Sequence, residues 1–400
     1  MKRIFTLVVL TLFAGSLLAQ RFNFNQGSII QKKYLEKIPY QNIDGKIVVP
    51  VTINGKMYNF IIDTGASLAI SDQLFKELNL PIIGQNEIID ASGRIKEAKI
   101  ISLPELHLQG ITFIDTPGCV FHEESSDFYN LLECFGIDGI IGSNMLRNSV
   151  IQFDDRSKLV IISNNFFKIP KKKVVKAQKM ELSPSSHPFI TIGLHIEQNV
   201  GDFVLFDTGS SEFYSMSMYT YNWLNDRADV SKIAEGEGSF SWSFHGISEN
   251  QQYLLLNIQK FHLRNKIFND VIVTTNNTIS HIGSQLLQYG KTSLDYKKKF
   301  FYFEPFDNLN TDELSERPWA ILPGFQNEKL VVGIIWDKTL ETQINFGDEI
   351  LSIDGSSIEN MALCDYMKLD SLEKPFSEKR ILELRDIKTG EVKKVEINRM

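Results

Sequence analysis

VPVTINGKMYNFIIDTGAS (Val49 to Ser67) and PFITIGLHIEQNVGDFVLFDTGSS (Pro188 to Ser211) are two versions of one pattern, an apolar strand running into Asp-Thr-Gly. Each is followed by a second matched segment, GIIGSNMLRNSVIQFDDRSKLVII (Gly139 to Ile162) and HIGSQLLQYGKTSLDYKKKFFYF (His281 to Phe303). Asp63 maps onto Asp207 at an offset of 144, while Gly142, Asp154 and Lys158 map onto Gly283, Asp295 and Lys299 at an offset of 141. Spacing kept over that distance marks a duplicated structural unit, which fixes the architecture before any finer reading. Within each copy, short β-branched and aromatic runs alternate with turn residues, as in Ile47 to Ile53, Asn59 to Ile62, Val200 to Phe206 and Phe268 to Thr275, and these read as strands. Helical periodicity is confined to brief pieces near Asp72 to Leu80 and Met216 to Leu224. The modules are mainly β.

A single Asp-Thr-Gly is weak evidence, because most such tripeptides are surface turns. Two copies, each after an apolar strand and each trailed by an apolar-Gly segment, have chemical meaning. Two carboxylates brought within a few ångströms cannot both ionise cheaply and must share a proton. One acid then serves as base toward a water while the other donates to a carbonyl oxygen. Gly65 and Gly209 let the chain turn and approach its mate, and the Thr64 and Thr208 hydroxyls are placed to brace the junction. Ser210 offers a hydroxyl to its carboxylate where Ala66 offers none, so the two acids are expected in unequal surroundings.

With Ile140-Ile141-Gly142 and His281-Ile282-Gly283 downstream, the paired motifs resemble the two lobes of an aspartic protease of the pepsin/retropepsin type, over roughly residues 43–303. The resemblance implies two pseudo-symmetric closed β-barrel lobes and catalytic Asp63 and Asp207, supported by Thr64, Gly65, Thr208, Gly209 and Ser210. It implies a peptide or protein substrate, no cofactor, and no need to homodimerise, since both acids lie on one chain. His281 departs from the usual apolar residue. Hairpin flaps over substrate are expected at Ala91, Ser92 and Gly93 in the first lobe and at Gly236, Gly238 and Ser239 in the second, the alternative being plain surface hairpins.

After Phe306 an acidic, polar stretch (307–318) leads to a strand-rich unit beginning near Trp319. ILPGF (Ile321 to Phe325), KLVVGIIWD and FGDEILSIDG resemble a small α+β PDZ domain. That likeness implies capture of a C-terminal peptide by Leu322, Gly324 and Phe325, or else a packing role. The domain reading is a signal peptide over 1–19, a first lobe over 20–167, a linker over 168–180, a second lobe over 181–306, a linker over 307–318 and the PDZ-like unit over 319–400.

MKRIFTLVVLTLFAGSLLAQ has the basic start, apolar stretch and small Ala19 of a signal peptide, the other reading being an anchor helix. Export to periplasm or medium is expected, with no stable membrane span after cleavage. A net charge of −7 without a large basic patch gives no reason to propose nucleic acid, and seven scattered histidines form no metal motif. The basic stretch 168–179 reads as a solvated linker or edge strand, with membrane seeking as the alternative. Three cysteines leave two readings, a short Cys119 to Cys134 bridge or unpaired buried thiols. A retired protease acting as a peptide-binding scaffold is the second functional reading.

Overall fold

The computed structural model describes residues 23–90, 92–121, 132–166, 176–195, 199–224, 227–239, 242–243, 246–327, 329–362, 364–365 and 378–400. The signal-peptide reading, Ala91 and most of the first linker lie outside these residues.

Each duplicated module closes a β-barrel, and the strands follow the same order in both. In the first, the strands Lys46–Ile53, Lys56–Asp63, Gly139–Gly142, Ala69–Ile70, Ile111–Val120 and Ile95–Leu108 pair in succession, and the last returns to the first. In the second, Pro188–His195, Val200–Phe206, His281–Ile282, Tyr214–Ser217, Lys266–Asn276 and Gln251–Leu263 do the same. Closure removes the free edges that an open sheet would leave. The strands that run into Asp-Thr-Gly are apolar without alternation because both faces are covered: Phe60 and Ile62 enter the main core while Ile61 packs with Val48, Ile100 and Ile140 on the other side.

The two modules share a sheet of six strands beneath the barrels. Val150–Asp154 from the first pairs antiparallel with Gly290–Asp295 from the second, and Gln152 lies opposite Ser293. Those two residues are repeat equivalents at the 141 offset, so a local twofold axis passes between them, and Gln152 Nε2 donates to Ser293 Oγ at 2.9 Å across it. One continuous core links both barrels to this shared sheet.

The C-terminal unit has its own core, including Ile321, Phe325, Val332, Ile350, Leu382, Leu384 and Val395. It is not hung on a free linker. Its Lys329–Ile335 strand pairs with Val230–Gly238 of the second module at Gly238 and Ile334, which makes the two sheets continuous. The cysteine expectation is overturned: Cys134 is bonded to Cys364, 230 positions away, and Cys119 is a free, buried thiol that burial pushes up to about 12. Cys119 sits on the Ile111–Val120 strand within the Val48 and Ile140 cluster, whereas Cys134 packs on the core of the C-terminal unit. Among the described residues no helix is long and apolar enough to cross a membrane.

Candidate active site

The Lys56–Asp63 and Val200–Phe206 strands deliver their Asp-Thr-Gly turns to the twofold axis from opposite sides. Each strand is seated by a parallel neighbour, Gly139–Gly142 in one module and His281–Ile282 in the other. The glycine ending each neighbour lies against the loop it supports. A Cβ on Gly142 would stand 2.5 Å from the Ala66 carbonyl oxygen, and one on Gly283 would stand 2.7 Å from that of Ser210. The same oxygens accept hydrogen bonds from Ser143 N and Ser284 N, both at 2.8 Å.

The two loops are locked together by a reciprocal set of bonds. Thr64 Oγ1 donates to the Phe206 carbonyl at 2.5 Å and accepts from Thr208 N at 3.1 Å. Thr208 Oγ1 donates to the Ile62 carbonyl at 2.8 Å and accepts from Thr64 N at 3.1 Å. Both threonines are fully buried. Thr64→Val or Thr208→Val would therefore strand a buried N–H and a buried carbonyl, at about 1–3 kcal/mol for each abandoned group. Denaturant unfolding is expected to show that loss for either variant, and an unchanged midpoint would contradict it.

Above this lock the carboxyls of Asp63 and Asp207 converge, each lying against the glycine of the opposite loop: a Cβ on Gly65 would stand 2.5–2.6 Å from the Asp207 carboxyl, and one on Gly209 would stand 2.5 Å from Asp63 Cγ. Each Oδ1 also accepts from the glycine amide of its own loop, Gly65 N or Gly209 N, at 2.8 Å. Burial and the adjacent Asp207 carboxyl push Asp63 well above the usual carboxylate range, and the ammonium of Lys46 pulls it partly back. Lys46 had no signal in the sequence. It opens the first barrel strand and donates from Nζ to the Gly209 carbonyl at 2.5 Å and to Ser211 Oγ at 3.1 Å. Beside the acids the register sets Val48 opposite Ile61 and Phe189 opposite Leu205, so Lys46 corresponds to His187, an imidazole that burial pushes down and the Asp207 carboxyl pulls partly back.

Other assignments are redirected. Ser210 Oγ accepts from Glu212 N at 3.4 Å and packs beside Gly283, so its hydroxyl serves the loop and not the carboxylate. His281 holds the register position beside Leu205, with Nε2 3.8 Å from Glu212 Oε2. The first hairpin, Ile82–Ile89 with Ile95–Leu108, turns at Asp90, whose Oδ1 accepts from Ser92 N, Ser92 Oγ and Arg94 N. Ser92 is thus tied into its own turn. Gly93, at φ +84°, faces Thr278 of the other lobe, whose Cγ2 would lie 3.2 Å from an added Cβ.

The glycines named for the second hairpin lie in a strand and not in a turn. Gly236 and Gly238 are strand residues, and Ser239 directly follows them. All three lie against the C-terminal unit, because their backbone is covered by Gly333, Ile334 and Trp336. The peptide-loop residues of that unit are occupied in turn: Phe325 is in its core, Gly324 lies under the Ser239 carbonyl, and Leu322 packs with Tyr253, Ile334 and Trp336. A cavity of about 340 Å³ bordered by Glu237, Asn250, Ile335, Glu341, Ile344 and Phe346 opens along the same junction. Among the described residues no group of three or more His, Cys, Asp or Glu is arranged to hold a metal ion.

No curated protein matches the chain. Residues 49–145, which span the first barrel from its opening strand to the segment beneath the Asp63 loop, match the family model for aspartyl protease. The chain therefore carries an aspartyl protease-like domain over those residues.

Proposed function

We propose that the protein is an aspartic endopeptidase that uses both Asp63 and Asp207. The observation that carries this reading is the convergence of the two carboxyls at the junction of the repeats, each against the opposite loop's glycine and each pinned by its own. With one proton between them, the ionised oxygen draws a proton from a water while the protonated partner donates to the substrate carbonyl oxygen. The tetrahedral diol then collapses as the pair returns a proton to the leaving amine. No acyl-enzyme is formed. A peptide in extended form would lie between the first hairpin and the acids, held largely by main-chain hydrogen bonds, and a single chain suffices. The work would be done outside the cytoplasm, where a bond such as Cys134 to Cys364 persists.

The test is a peptide-library digest across a wide pH range with and without pepstatin. Pepstatin-sensitive cleavage is expected, and its complete absence would leave the peptide-binding scaffold as the better reading. The rate should follow a bell. It falls at low pH when both acids are protonated, and at high pH when the shared proton is lost. Because the Lys46 cation stabilises the more ionised states, Lys46→Met is expected to move both limbs to higher pH, and Lys46→Arg to restore them. A profile that stays in place in the Met variant would remove Lys46 from the electrostatics of the site.

A further inference from the structure

The two hairpins reach across the molecule by different means. The first touches the opposite lobe directly, Gly93 against Thr278. At the repeat offset of 141, Thr278 corresponds to Ile137, so a symmetric second hairpin would be expected to land on the first lobe near that position. It reaches that region through the C-terminal unit. Residues 132–137 carry Cys134, which is bonded to Cys364 and packs on the core of the C-terminal unit.

The other side of this bridge is a glycine seam. Ser239 N donates to the Gly333 carbonyl at 3.0 Å, and Gly238 pairs with Ile334. A Cβ on Gly238 would strike the Gly333 carbonyl, and one on Gly236 would lie 2.7 Å from Ile334 Cγ2. One on Gly324 or Gly333 would lie 2.7 or 2.8 Å from the Ser239 carbonyl oxygen. Four positions from two units thus require glycine for a single close approach. The apolar cluster of Tyr253, Leu255, Ile334 and Trp336 seals it.

We propose that the C-terminal unit is a disulfide-latched strap that ties the Val230–Gly238 strand of the second lobe to the first lobe. It moves with that strand through the glycine seam, and the Cys134 to Cys364 bond limits how far the two lobes can swing apart. Reduction by a dithiol, which leaves two cysteine thiols and the oxidised cyclic disulfide of the reagent, releases the latch. Unlatched lobes admit bulky chains more readily, whereas short peptides enter either way. Only the cleavage part of the test rests on the proteolytic reading above.

The experiment uses the full chain with spin labels at Met57→Cys on the first lobe and Ile381→Cys on the C-terminal unit, positions 72% and 51% exposed. The latched form is compared with the Cys134→Ser/Cys364→Ser double variant and, should that variant fold poorly, with protein carrying thioether-linked maleimide labels and reduced by a dithiol after folding. Breaking the latch is expected to broaden the inter-label distance distribution. It should also raise kcat/KM for a folded protein relative to a short peptide by roughly fivefold, with the short-peptide value held within about twofold. An unchanged distribution overturns the strap whether or not the chain cleaves anything. A broadened distribution with an unchanged cleavage ratio in active enzyme overturns the control of access. Broadening in a protein that cleaves nothing supports the strap and sinks the proteolytic reading alone.

Discussion

Asp63→Asn and Asp207→Asn are each expected to lower turnover by about 10²–10⁴ while the fold persists, because each acid has its own proton to move and neither can stand in for the other. The same substitution has a second consequence that separates chemistry from folding. The folded state holds the Asp63 proton more tightly than the unfolded chain does, since burial and Asp207 both raise that carboxyl. The stabilisation from this group is complete below the unfolded carboxylate range and is lost as pH climbs through the raised value. Asparagine keeps the shape and has nothing to ionise. Asp63→Asn should therefore unfold at a higher temperature than the parent at neutral pH, with the difference shrinking toward acid. Calorimetry at several pH values reads this directly. An inactive variant that is also less stable at neutral pH would mean that the two carboxyls do not strain one another.

The parts of this arrangement that were legible in the sequence are those that repeat. Asp63 and Asp207, the strands feeding them and the glycines beneath them occur twice, so one copy checks the other, and the barrel order follows from the same pairing. What was not legible occurs once. Lys46 is replaced by His187 in the second module, and nothing local says that a lysine opening a strand will reach a carbonyl 163 residues away. Cysteine spacing left a short loop from Cys119 to Cys134 and unpaired buried thiols both open, because loop closure is the only term that sequence exposes. The observed bond joins elements that tertiary docking brings together, and that docking was invisible. Gly236 and Gly238 read as a substrate flap and Gly324 as a peptide loop, because glycine announces a close approach without naming what approaches. Here the partner is the backbone of another unit, not a substrate or a peptide end.

Gly65 and Gly209 make the sharpest test of the claim that the acids work as a touching pair. A Cβ built on Gly65 would lie 2.5–2.6 Å from the Asp207 carboxyl atoms, and one on Gly209 would lie 2.5 Å from Asp63 Cγ. Both are far inside contact distance. The carboxyls have little freedom to yield, for each is fixed by the adjacent amide and the loops beneath are clamped by Thr64 and Thr208. Gly65→Ala or Gly209→Ala must therefore spread the pair by about 1 Å, a misplacement of the size that costs roughly 10²-fold in rate. Spreading also weakens the mutual repulsion that holds the shared proton, so the high-pH limb of the rate profile should move down. Gly84, where an added methyl meets nothing within 4 Å, is the control for the fold, and Gly84→Ala should leave the unfolding transition in place. If Gly65→Ala and Gly209→Ala both keep full activity and an unmoved alkaline limb, the acids do not need their contact, and a mechanism built on one proton held between them loses its basis.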